Sequence, residues 1–260
     1  MLFQTEDIVG YPVNYEPIGN IVSHLIGLIQ SRIRSCCYFG CLNPHSVETA
    51  AGDSKFKAAL LEADFLTAYG VGIVYASRLS RGKIQERVTG TDMFAALTTS
   101  MNVAGGMSCY FLGSTEDTLQ KIQDRMAKEY PGVRVAGTYS PPFKPTFDID
   151  DTDKMIRRVN ASDCDVLWVG MTAPKQEKWI HQNRHKLNVT FAGPIGAVFD
   201  FYAGNIKRAG PGWQKLGLEW LPRLLQEPRR LWRRNFGSSP AFLMRCVRYR
   251  FSQARSELQE

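Results

Sequence analysis

From residue 33 onward the chain alternates short apolar or β-branched runs with longer amphipathic segments, and this alternation leaves few folds open to it. Residues 35–42 read as a strand and residues 44–61 as a helix with Ala50, Ala51, Ala58, Leu60 and Leu61 on its apolar side. Strands follow at 66–69, 107–112, 133–136, 166–169 and 188–192, and helices at 70–79, 92–101, 116–129, 151–160 and 175–185. Pro131-Gly132 stops the fourth of these helices. Strand–helix repetition of this kind predicts an α/β fold, a doubly wound and mostly parallel sheet covered on both faces. Ligands bind such sheets outside the carboxyl ends of the strands, which directs attention to the loops after Leu42, Ala68, Leu112, Ala136, Val169 and Ala192.

Charge divides the chain unevenly. Residues 205–260 hold 12 Lys/Arg against 4 Asp/Glu, whereas residues 1–204 hold 20 against 21. Threaded through the basic stretch are Trp213, Leu216, Leu218, Trp220, Leu221, Leu224, Leu225, Leu231 and Trp232. The expected organisation is therefore a domain over 1–204 and a basic, helical, membrane-associating C-terminal appendage over 205–260. A cationic, aromatic surface suits lipid headgroups or a lipid-linked phosphate, and the tail carries no nucleic-acid recognition motif. The longest apolar runs, 18–29 and 107–112, fall short of the roughly 18 unbroken apolar residues of a spanning helix. Gln4, Glu6 and Asp7 stand where a secretory signal would be basic, so the expected location is cytoplasmic, peripheral at the inner face of the plasma membrane. Six cysteines lack paired metal-ligand spacing and read as buried thiols.

Several loops carry candidate chemistry, each beside a plainer role. Gly70-Val71-Gly72 opens a helix and would aim backbone N–H groups at a phosphate, but Tyr75 occupies the third glycine position of a dinucleotide fingerprint, and a tight turn serves as well. Gln176 and Glu177, in the first turn after Pro174, suit a uracil or sugar edge or simply a helix start. Gly193 and Gly196 give a turn allowing close backbone approach, with Asp200 beyond it for a substrate hydroxyl or a local ion pair. Arg87, Thr91 and Asp92 surround a glycine before a helix, with Thr91 as its N-cap. Asp148/Asp150 and Asp163/Asp165 have a metal-binding spacing, but the first pair sits where a helix begins and capping is favoured. His181 and His185 share a helix face without an adjacent glutamate, which favours a solvated face over a zinc site.

Taken in order, these segments resemble the WecG/TagA/CpsF family of bacterial glycosyltransferases. The resemblance runs through Cys41-Leu42-Asn43-Pro44, Ala63-Asp64 with Gly70-Val71-Gly72, and Arg87-Val88-Thr89-Gly90-Thr91-Asp92. It continues through Ala173-Pro174-Lys175-Gln176-Glu177, Gly196-Ala197-Val198-Phe199-Asp200-Phe201, Lys207-Arg208-Ala209, Gly217-Leu218-Glu219-Trp220-Leu221-Pro222-Arg223-Leu224 and Glu227-Pro228-Arg229-Arg230, nearly the whole chain. It implies a Rossmann-like enzyme that moves a sugar from a UDP-sugar to a polyprenyl-diphosphate-linked sugar, inverting the anomeric centre with neither metal nor other cofactor, in exopolysaccharide or cell-wall polymer synthesis. The tail would fold over the active site at the membrane. The implied donor site comprises Asn43, Gly70, Gly72, Arg87, Thr91, Gly113, Gln176, Glu177, Gly193 and Gly196. Arg208, Arg223, Arg230 and Arg233 would neutralise diphosphate, a role that suits the guanidinium fork.

Two departures stand out. The family's candidate base is an aspartate before Gly-x-Gly, and here that position is Tyr69. A phenol with an ordinary pKa near 10 is almost wholly protonated at neutral pH and is bulkier than a carboxylate. Cys41 also replaces a threonine of the family pattern, giving a weaker hydrogen-bonding group. The expected catalytic group therefore comprises Tyr69, Cys41 and two substitute carboxylates, Asp64 and Asp92. Impairment of turnover, leaving a UDP-sugar- and lipid-binding member of an assembly complex, is the competing reading. The identity of the sugar and the oligomeric state stay open at this level.

Overall fold

The computed structural model describes residues 3–206, 210 and 237–257. Its centre is an eight-stranded sheet in the order β1-β2-β4-β3-β8-β7-β5-β6. Here β3 is Cys37–Leu42, β4 Phe65–Ala68, β5 Met107–Gly113, β6 Val133–Tyr139, β7 Val166–Gly170 and β8 Phe191–Pro194. All six are parallel to their sheet neighbours. An antiparallel hairpin, β1 (Thr5–Ile8) and β2 (Tyr11–Asn14), extends the sheet beyond β4. Every residue of β4 and of β5 is buried, as expected of parallel strands covered on both faces.

One face is an aromatic core in which Phe39, Phe65 and Phe191 stack at 5.8–6.4 Å, with Phe94 and Phe111 beyond them. Over it lie α1 (Ile18–Gln30), α5 (Gly90–Ala104) and α6 (Glu116–Glu129). The run too short to span a membrane is thus largely α1, which buries Ile21, Val22, Leu25 and Ile29 at helical spacing. The other face packs under α7 (Ile149–Ala161) and α8 (Lys175–Asn183). Around β2 and β4 a third cluster gathers α2 (Pro44–Gly52), α3 (Ser54–Leu61) and α4 (Val71–Leu79). A short helix, α9 (Val198–Tyr202), follows β8.

Sequence periodicity located the elements but misplaced several joints. The single helix expected over 44–61 is two, because Asp53 takes extended angles and its carboxylate accepts the Phe56 N–H to start α3 afresh. Helix α5 begins two residues earlier than expected, and its N-cap is Thr89, not Thr91: Thr89 and Asp92 form a reciprocal capping box. Strand β6 runs on to Tyr139, and β8 starts at Phe191 rather than at 188. Helix α8 stops at Asn183, so His185 falls in a following 3-10 turn and does not continue the His181 face.

Of the appendage expected over 205–260, the described part includes one further helix, α10 (Ser238–Glu257). Phe242 is only 3 % exposed and joins the cluster around β2 and β4. Arg245 grips Glu48 of α2 with two hydrogen bonds of 2.8 and 3.0 Å, a bidentate pair that fixes α10 against the body. No helix among the described residues is long and apolar enough to cross a membrane.

Candidate active site

Because the six central strands run in parallel, their carboxyl ends emerge at one edge of the sheet, where they border a cavity of about 1230 Å³. All six expected loops contribute to its wall: Asn43 after β3, Tyr69 after β4, Ser114 after β5, Ser140 after β6, Met171 after β7 and Ile195 after β8. Such a volume exceeds what one ordinary ligand pocket occupies, so the cavity can hold two sizeable groups side by side.

At the β3–β4 end, Asn43 caps α2 by accepting the Ser46 N–H at 3.0 Å, with Pro44 in the first helical position. Tyr69 is tied by its N–H to the Leu42 carbonyl at 2.7 Å and lines the cavity. Cys41 also lines it; burial pushes its thiol up to about 12, countered by the Thr67 hydroxyl and reinforced by the charges of Glu177 and Asp92. This thiol is a neutral wall group at neutral pH.

In the middle, Gln176 and Glu177 are buried at the start of α8. The Gln176 side-chain carbonyl accepts the Met171 N–H at 3.2 Å, and its amide nitrogen donates to the Glu177 carboxylate at 2.9 Å. The second Glu177 oxygen is buried with no hydrogen-bond partner among the described residues, and burial lifts this carboxyl to about 6 in spite of the Gln176 contact. Gly196, at φ +50°, faces the Gln176 amide across the cavity wall. At the β5 end, Gly113 has φ +121° and Ser114 φ +60°, and the Ser114 N–H donates to the Gly170 carbonyl at 3.1 Å. Any Cβ at Gly113 would collide with that carbonyl, so only glycine permits this joint between β5 and β7.

Of the residues singled out from sequence, Tyr69, Cys41, Asn43, Thr91, Gly113, Gln176, Glu177 and Gly196 meet around this cavity. Others lie elsewhere. Asp64 precedes β4, at the edge opposite the cavity, where its carboxylate accepts the Tyr38 N–H at 2.9 Å and pairs with Arg184 at 2.8 Å; it is not placed to act as a base. Asp92 is engaged in its capping box and, like Arg87, Gly70 and Gly72, does not line the cavity. Gly193 lies within β8 against the Trp168 ring, which a Cβ would strike, so it serves packing. Arg208, Arg223, Arg230 and Arg233 lie outside the described residues.

Three of the four carboxylates with metal-like spacing, Asp148, Asp163 and Asp165, are engaged in caps or ion pairs. Asp148 caps α7 and shares Lys144 with Asp151, while Asp163 and Asp165 bind Arg34. His181 contacts Glu62 at 2.9 Å. Sequence reasoning placed the Pro141-Pro142-Phe143 run near the acceptor side without giving it a chemical role, and assigned none to the rest of the wall between Tyr139 and Phe147, to Lys154 or to Lys175. The one signal was the Pro141-Pro142-Phe143 run, whose rigid backbone ends in a bare aromatic ring.

A doubly wound, mostly parallel sheet with a large cavity over its carboxyl edge places the chain in the Rossmann-like class. Residues 6–256 match the model of the Glycosyl transferase WecG/TagA/CpsF family, and the chain belongs to that family of glycosyltransferases. It is 30 % identical over 213 residues to the N-acetylglucosaminyldiphosphoundecaprenol N-acetyl-beta-D-mannosaminyltransferase of Bacillus spizizenii, covering 82 % of this chain and 79 % of the relative. The protein of the same name from Bacillus subtilis is 30 % identical over 194 residues, 74 % of this chain and 72 % of that one.

Proposed function

We propose that the protein transfers a sugar, of the N-acetylhexosamine class, from a UDP-linked donor to an N-acetylglucosaminyl-diphosphate carried on a polyprenol, at a membrane surface. The observation that carries this reading is the 1230 Å³ cavity, roomy enough for donor and acceptor together, in a chain related to enzymes named for that acceptor. Direct displacement would form the bond from the acceptor hydroxyl to the anomeric carbon as the bond to UDP breaks, inverting that centre, and the hydroxyl proton must pass to a base. With tyrosine at position 69, the carboxylates lining the cavity among the described residues are Glu116, Glu177 and Asp200.

Membrane attachment finds support in α10. Leu243, Met244, Val247 and Phe251 are all exposed and, at about 100° per residue, fall within one arc of about 100°. Exposed Arg248 and Arg250 flank that arc. An apolar stripe bordered by arginines suits the headgroup–acyl boundary of an anionic bilayer, and α10 leans on α2, whose His45 and Thr49 line the cavity. A lipid held there would present its diphosphate near the site.

The test is transfer from a panel of UDP-sugars to liposome-borne N-acetylglucosaminyl-diphosphate-polyprenol, by the native chain and by Tyr69→Asp. Slow transfer by the native chain and a gain of at least about 10-fold in the variant are expected, the low end of a general-base contribution. Donor binding without transfer in both proteins would favour the binding-only reading that Tyr69 suggests. Equal, robust rates would remove the idea that Tyr69 impairs turnover.

A further inference from the structure

Their places on the sheet separate the three carboxylates that line the cavity among the described residues. Glu116 stands exposed in the first turn of α6, just beyond β5, where it complements the helix dipole. Asp200, in α9, meets the Asn205 amide at 3.5 Å, and Asn205 is itself bound by Thr118 and Lys121 of α6 at 2.9 and 3.0 Å. These two acids therefore belong to the α6 side. Glu177 lies toward β3, because its charge is felt by the Cys41 thiol, which the Thr67 hydroxyl of β4 meets at 3.5 Å. Cys41 precedes Leu42, whose carbonyl holds the Tyr69 N–H, so Glu177 borders the corner of the cavity that Cys41 and Tyr69 line.

Half of this carboxylate is unused. Its Oε1 accepts the Gln176 amide at 2.9 Å, whereas Oε2 is buried with no partner among the described residues. The charged and titratable groups about it are the neutral Cys41 thiol on β3 and Lys178 on its own helix, and the Lys178 ammonium is held by Asp53 at 2.7 Å. Packing alone does not call for an acid here, since glutamine would keep the bond to Gln176 with no charge to desolvate. A buried, uncompensated carboxylate oxygen in a cavity wall is what a site shows when a ligand supplies the missing donor. Burial, which lifts the carboxyl to about 6, leaves it mostly ionised at neutral pH and a stronger proton acceptor than an ordinary carboxylate.

On the reading that the protein transfers a sugar with inversion, we propose that Glu177 is the group that takes the acceptor proton in this chain. The acceptor oxygen forms its bond to the anomeric carbon while the bond from that carbon to UDP breaks, its electron pair leaving on the diphosphate oxygen. The hydroxyl proton passes to Oε2 of Glu177, whose lone pairs are engaged by no other described group. Gln176 holds the other oxygen and so keeps the carboxylate in place as the proton arrives.

The test introduces Glu177→Gln into two full-length backgrounds, the native chain and Tyr69→Asp, and follows transfer to liposome-borne N-acetylglucosaminyl-diphosphate-polyprenol across pH 5 to 8. In the native background kcat should fall by about 100-fold or more, the lower part of the range for a lost general base. In the Tyr69→Asp background, where a second carboxylate borders the same corner, the loss should be less than about 5-fold. A side chain that only shaped the cavity would cost the same in both. Native transfer should also decline by about tenfold per pH unit below about pH 6, and the residual transfer of Glu177→Gln should lack that acid limb. Equal losses in the two backgrounds, an acid limb retained by Glu177→Gln, or native transfer untouched by the substitution would each overturn the assignment. Transfer by Tyr69→Asp but not by the native chain would overturn it too, since Glu177 would then not suffice. Transfer by neither would instead remove the reading on which the assignment rests.

Discussion

Replacing Glu177 by glutamine should make the protein more stable at neutral pH and leave it no more stable in acid. The carboxyl stands at about 6 in the folded chain against an ordinary 4.5, chiefly through burial. Between those values the folded chain keeps a proton that the unfolded chain has lost, so stability falls as pH rises through that window and stays lower above it. A difference of about 1.5 pH units corresponds to about 2 kcal/mol. Glutamine carries no charge to desolvate and can still accept from Gln176 through its carbonyl. Its amide nitrogen would take the place of the unpartnered oxygen and itself lack a partner, a cost of about 1 kcal/mol at every pH. The informative quantity is therefore the pH dependence: the stability of Glu177→Gln relative to native should climb by about 2 kcal/mol between pH 4 and pH 7.5. At neutral pH the net gain of about 1 kcal/mol would raise the melting temperature by roughly 2–4 °C in a chain of this size. Urea titrations at pH 4, 5, 6 and 7.5 would measure it. A difference that stays constant across that range would refute the account of Glu177 as a carboxylate ionised against its surroundings.

Alanine at Gly113 should destabilise the fold by about 3 kcal/mol, because it combines a positive φ with a Cβ driven into the Gly170 carbonyl; chemical denaturation would show it, and a loss below about 0.5 kcal/mol would contradict the joint described. Asp64→Asn should lower stability by about 1 kcal/mol through the weakened Arg184 contact while leaving UDP affinity unchanged, and a specific loss of UDP binding would return Asp64 to the site. Exchanging Leu243, Val247 and Phe251 together for serine should reduce flotation with anionic liposomes by at least about 10-fold at unchanged melting temperature, since three exposed apolar side chains leave the interface; undiminished flotation would locate membrane binding elsewhere in the chain.

Much of the sheet was legible because buried parallel strands leave short unbroken apolar runs, as at Met107–Gly113 and Val166–Gly170, while their helices keep the 3.6-residue stripe. The edge hairpin was not. Its turn is Val9-Gly10, both at positive φ (49° and 87°), and a β-branched residue is a poor advertisement for a left-handed turn. The break at Asp53 was hidden because alanines on both sides keep the apolar stripe nearly in phase across it. Loop positions at the carboxyl edge followed from strand direction alone, and the same logic excludes Asp64, which enters β4 instead of leaving it. What sequence could not show was which side chains turn inward. The pairing of Lys175 with two phenylalanines joins loops about thirty residues apart, and nothing in the local spacing of either announces the other.

The bonds held by Gln176 settle the polarity of the cavity's middle. A glutamine amide is usually ambidextrous, able to swing round and offer either its oxygen or its nitrogen to whatever arrives. Here the oxygen is claimed by the Met171 N–H and one amide hydrogen by the Glu177 carboxylate, so reversal would set oxygen against carboxylate and nitrogen against N–H. One hydrogen is left to offer. An acceptor such as a carbonyl, ether or phosphate oxygen must meet this side chain at its nitrogen, and a donor at the second lone pair of its oxygen, so each kind of substrate atom has one fixed place to bind.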